Sequence, residues 1–112
     1  MIKITIYHQA ALICGFKVIG HAGAAQYGHD IVCAAVSALS ITTINSILQF
    51  TDVRPKLDQD TVNGGWLILK LPQIKDRIQS LKAQTLLDSF ELGMKSIADQ
   101  YARYVNLKII KL

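Results

Sequence analysis

Ile2, Ile4 and Ile6 alternate with Lys3, Thr5 and Tyr7, so the first residues carry an apolar side and a polar side. That period of two predicts a half-buried strand. A second run, Ala11 to Ile19, sets Leu12, Cys14, Phe16 and Val18 against Ile13, Gly15, Lys17 and Ile19, and pairs with the first as a hairpin. From Asp30 to about Gln49 the chain is rich in alanine and aliphatic residues, which predicts a helix capped by Asp30, with Val32, Ala35, Leu39 and Ile47 in its buried stripe. The helix is apolar almost all round. It therefore needs cover on more than one side, from the sheet and a second helix or from another subunit, and a dimer is expected.

Val53 to Leu57 and Gly65 to Leu71 predict two more strands, with Asp58, Asp60, Asn63, Gly64 and Gly65 suited to the turn between them. Pro55 reduces the first to a short edge strand, and Pro72 closes the second. Ile74, Ile78, Leu81, Leu87, Phe90, Met94 and Ile97 then recur at helical spacings, predicting a long amphipathic helix to about Tyr101. Tyr104 to Ile109 alternates again, as a last strand. The order ββαββαβ describes an α+β fold: a mostly antiparallel sheet with two helices packed on it.

At 112 residues and 51% hydrophobic content, residues 1–112 are expected to form one domain with a single core. The net charge of +4 would help the chain approach an acidic partner such as RNA. Few aromatics and no RNA-binding signature accompany it, and Lys70, Lys75, Arg77 and Lys82 read as solvated faces, so nucleic acid is not the partner expected. No uninterrupted run of 18 apolar residues is seen, and the first residues alternate instead of forming a leader, which argues against secretion or membrane insertion and for a cytoplasmic protein. Two cysteines make no disulfide framework. Cys14, inside the second strand, reads as a small packing residue, which leaves Cys33 for chemistry.

His21 and Cys33 flank a glycine-punctuated segment that runs into the first helix, and they stand 12 positions apart. A strand end, a loop and a helix start can fold back over that length and bring imidazole to thiol, as a cysteine nucleophile and its base require. With Asp30 as cap, Cys33 is the third helical position, where unpaired amides and the helix dipole favour a thiolate and face the oxyanion formed when it attacks a carbonyl. Gly20 allows close approach beside His21. Asp30 either orients His21 or only caps the helix. Ser37, one turn beyond Cys33, either supports the site or bonds the preceding turn. His29 is a second candidate base or a loop residue. Gly23 and Gly28 give pivots to a segment carrying Tyr27, which reads as a lid over a peptide groove. The competing interpretation makes Cys33 a small core residue.

Gly20-His21-Ala22, Tyr27-Gly28-His29-Asp30-Ile31-Val32-Cys33-Ala34, and Ser37-Ala38 closely resemble the bacterial ribosomal-processing cysteine proteases called Prp. Arg54-Pro55 and Asn63-Gly64-Gly65 fall at similar turns, so the likeness runs through nearly the whole chain. The resemblance implies a homodimeric cytosolic endopeptidase that removes a short amino-terminal extension from the precursor of large-subunit ribosomal protein twenty-seven. Cys33 would then be the nucleophile and His21 its general base, with Asp30 and Ser37 at further motif positions. The family's extensions end in aromatic residues before the cut, which implies a pocket for such a side chain near the Gly23–Gly28 segment.

No cofactor is expected for this chemistry. A different class of function, a non-catalytic ribosome-assembly factor binding ribosomal RNA or a ribosomal protein, needs no activated thiol; faster alkylation of Cys33 than of Cys14 separates the two. A zinc site on His21, His29 and Cys33 lacks a fourth ligand and a compact spacing, so no metal is assigned.

Overall fold

The computed structural model describes residues 1–20, 29–60, 62 and 65–112. Its elements run β1 (Ile2–Gln9), β2 (Leu12–Ile19), α1 (His29–Phe50), β3 (Lys56–Gln59), β4 (Trp66–Lys70), α2 (Arg77–Gln100) and β5 (Val105–Lys111). The strands form one sheet in the order β3-β4-β2-β1-β5, with every pair antiparallel except β1 with β5. The order ββαββαβ and the mostly antiparallel sheet are those expected from the pattern. The parallel pair is the new element: α2 carries the chain across the sheet, so that Ile2 pairs with Val105 and Ile6 with Ile109.

One face of the sheet is covered. Ile2, Ile4 and Ile6 are fully buried, as are Phe16, Val18 and Leu69, and all join Val32, Val36 and Ile47 of α1 and Leu87, Phe90 and Met94 of α2 in one core. Phe16 stacks on Phe90 with ring centroids 4.1 Å apart, which ties α2 to the middle of the sheet and adds about 0.5–1.5 kcal/mol beyond area burial. Gln84 of α2 fastens the same contact at its polar end, accepting from Ile13 N at 2.9 Å and donating to Ile13 O at 2.8 Å. His8 Nε2 meets Glu91 Oε1 at 2.5 Å. Between the helices, a Cβ on Gly93 would lie 2.7 Å from Leu39 Cδ2, so the Leu39 side chain packs into the space that glycine leaves on α2.

Several expectations are corrected. The helical ladder of α1 starts at His29, not after Asp30, so Asp30 lies in the first turn and is not the N-cap. Histidine and aspartate have similar helix propensities, so residue type alone does not fix that boundary. The buried stripe of α1 includes Val32 and Ile47, but Ala35 and Leu39 are only half-buried, while Ser40 and Thr43 are buried. Their hydroxyls donate to Val36 O and Leu39 O at 2.7 Å, which satisfies them without partners outside the helix. Residues Ile31–Phe50 also make a helix long and apolar enough to cross a bilayer by length and composition, although Ser37, Ser40, Thr42, Thr43 and Asn45 interrupt its apolar run. Here its inner side belongs to the core.

The strand expected at Val53–Leu57 begins only after Pro55, because proline donates no ladder hydrogen bond; Val53 is instead a core residue. Helix α2 starts later than Ile74, because Asp76 caps it, its carboxylate accepting from Ile78 N at 2.9 Å and Gln79 N at 3.0 Å. Ile78 and Leu81, read as core, are 64% and 69% exposed, since they lie on the side of α2 opposite its buried stripe of Ala83, Leu87, Phe90 and Met94.

Candidate active site

Strand β2 ends at Ile19, and Gly20 turns the chain away from the sheet with φ of 83°, in the left-handed region where only glycine is unstrained. Space makes the same demand. A Cβ on Gly20 would lie 2.9 Å from Met1 O, so no side chain fits between β2 and the start of the chain. Gly20 N donates to Gly65 O at 2.7 Å, anchoring this point to the residue that leads into β4. The exit of β2 is therefore held by backbone groups from two neighbouring segments.

Against this anchored exit lies Cys33 of α1. Its Sγ donates to Gly20 O over 3.8 Å, and the residue is 7% exposed. The carbonyl that touches the sulfur belongs to the peptide bond joining Gly20 to His21. Because α1 starts at His29, Cys33 is the fifth helical residue and not the third. Its own amide falls inside the ladder, whereas the first four N–H groups of a helix, in the turn before it, have no intrahelical partner. Ser37 follows one turn later and is half-buried.

His21, Gly23, Tyr27 and Gly28 lie outside the described residues, as do the side chains of His29 and Asp30. Among the described residues, no three His, Cys, Asp or Glu side chains cluster as a metal would need. Cys14 sits toward the other end of β2, half-buried, with its Sγ 3.5 Å from Tyr7 O, and it has no part in the arrangement around Gly20. The sequence reading missed the support that Met1 and Gly65 give to Gly20. Gly65 carries a turn signal, but only the pairing of β2 with β4, Ile19 opposite Trp66, brings it to the site.

Residues 1–106 match the family model described as cysteine protease Prp. The ribosomal processing cysteine protease Prp of Bacillus subtilis (strain 168) is 30% identical over 89 residues, 80% of this chain and 79% of that protein. The protein of the same name from Staphylococcus aureus (strain Mu50) is 32% identical over 88 residues, 79% and 78% of the two chains. Among solved structures, SMU.848 of Streptococcus mutans superposes with a TM-score of 0.90 at 33% identity, covering 100% of this chain and 96% of the other. The S. aureus ribosomal processing protease Prp, solved with a substrate peptide, superposes with a TM-score of 0.85 at 26% identity over 97% and 99%. The same protease has also been solved with a covalently linked product peptide. The motif around Cys33, the sheet that carries it and these similarities lead to one statement: the chain belongs to the cysteine protease Prp family and is a cysteine endopeptidase.

Proposed function

We propose that this endopeptidase removes the amino-terminal extension of the precursor of large-subunit ribosomal protein twenty-seven, with Cys33 as nucleophile and His21 as general base. The observation that supports the assignment is the 3.8 Å contact of Cys33 Sγ with Gly20 O, at the peptide bond to the one histidine of the Gly20-His21-Ala22 motif. The chemistry runs in two balanced steps. Cys33 passes its proton to His21 and the thiolate attacks the scissile carbonyl, while amides of the first turn of α1 hold the oxyanion. The C–N bond breaks, His21 protonates the leaving amine of the mature protein, and the extension remains as a thioester on Cys33. Water then attacks the thioester, His21 takes its proton, and the extension leaves as a carboxylate with the thiol restored.

The test is incubation with the extended ribosomal protein of the same organism and mass measurement of the products. Cys33→Ala and His21→Ala each abolish cleavage while circular dichroism stays that of the parent; unchanged turnover in either variant sinks the assignment.

The enzyme works in the cytoplasm as a homodimer built on α1. Its outward side carries Ile31, Ala34, Ala38, Ile41, Asn45 and Leu48, all exposed, at alternating intervals of three and four. That is the spacing of a coiled-coil seam, with Asn45 as the single polar residue that fixes register. A seam of this kind buries the residues that one protomer leaves in water.

A further inference from the structure

The helices cover one face of the sheet, and the other face has a composition of its own. Each of the five strands places one lysine on it: Lys56, Lys70, Lys17, Lys3 and Lys108 in order across the sheet. The pairings put them on the side opposite the buried Ile2, Ile4 and Ile6, since alternate residues of a strand face opposite ways. Asp58 is the one acidic residue among the strand positions there, and Asp60 continues the ladder opposite Trp66, so this face carries an excess of three positive charges. No side chain on it is buried. Lysines that look scattered along the sequence thus form one field.

Two aromatic rings stand within that field. Trp66 lies beside Ile19 and Lys3, and Tyr7 lies in the row of Lys70 and Lys56. Gly15, directly opposite Tyr7, has no side chain, so only its backbone separates Tyr7 from Lys70 in that row. We propose that this helix-free face binds single-stranded RNA. The positive charge calls for a polyanion, and the flat surface with half-buried rings suits stacked bases, as sheet aromatics serve in other RNA-binding folds. A duplex would need an element that enters a groove, and this face has none. The choice of RNA over DNA rests on the ribosomal-processing function proposed above, whereas the charge and the rings do not. A peptidase assay on a short peptide therefore fails or succeeds independently of binding.

The experiment is titration of the full chain with a short fluorescein-labelled oligouridine, followed by polarisation and by the fluorescence of Trp66, the only tryptophan. Binding quenches Trp66 and weakens about a hundredfold for a fourfold rise in salt, from about 0.7 released counterions for each of five phosphate contacts. The double variant Lys70→Glu/Lys108→Glu binds at least about tenfold more weakly, while Lys75→Glu/Lys82→Glu, the same charge change off this face, binds as the parent does. All three proteins cleave a short peptide equally, which shows them folded. Equal loss in both double variants overturns the proposal, as do an unquenched Trp66 at saturation and binding to phosphatidylserine vesicles in place of oligouridine.

Discussion

At the scale of single residues, Gly20 is the position where the fold leaves least choice. Its φ of 83° costs any other L-residue about 1–2 kcal/mol, and its missing side chain keeps Met1 O in place. Gly20→Ala is therefore expected to lower the urea midpoint and, by moving the carbonyl that meets Cys33, to reduce kcat/KM more than the stability loss explains. Gly65→Ala is the control: among the described residues its Cβ would meet Asp60 Oδ2 alone, at an ordinary 3.7 Å. A Gly20→Ala enzyme as stable and active as the parent would remove Gly20 from the site's supports. The glycine, the histidine and the cysteine were legible as a motif because cysteine chemistry demands those residue types. The support from Met1 and Gly65 was not, because it consists of backbone carbonyls, which leave no mark on residue identity.

At the scale of elements, the β1–β2 hairpin turns through Ala10 and Ala11, with φ of 51° and 65°. Two positive φ values form the sign pattern of a type I′ turn, for which asparagine and glycine are the suited residues. Ala10→Asn with Ala11→Gly should stabilise the protein by about 1 kcal/mol once the greater chain entropy of glycine is deducted, raising Tm by roughly 4–8 °C in a thermal melt. No change in Tm would mean the alanines sit there without strain. This turn also shows why some elements were readable and others not. The strands of the sheet alternate because one face is buried and the other wet, so Ile2, Ile4 and Ile6 announce β1. In α1, apolar residues on every side erase the contrast from which a stripe is read, and polar Ser40 and Thr43 turn out buried. Ile78 and Leu81 mislead for the opposite reason, since apolar residues recur at helical spacing on the side of α2 turned away from the sheet.

At the scale of the whole molecule, three surfaces separate cleanly: the outward side of α1, the helix-free face of the sheet, and the end where β2 leaves for the Gly20 turn. Assembly through the first predicts that Ile41→Glu, a change at a residue 53% exposed in one protomer, turns a dimer into a folded monomer in analytical ultracentrifugation. A parent chain that sediments as a monomer at working concentrations would remove the seam. The parallel pairing of β5 with β1, which no local pattern reveals, has a practical corollary. It sends Leu112 to the far end of the sheet, where its amide bonds His8 O at 2.7 Å, while Met1 stays against Gly20. An affinity tag fused ahead of Met1 thus emerges beside the thiol and competes with the peptide to be cut, whereas one fused after Leu112 leaves the entrance unobstructed.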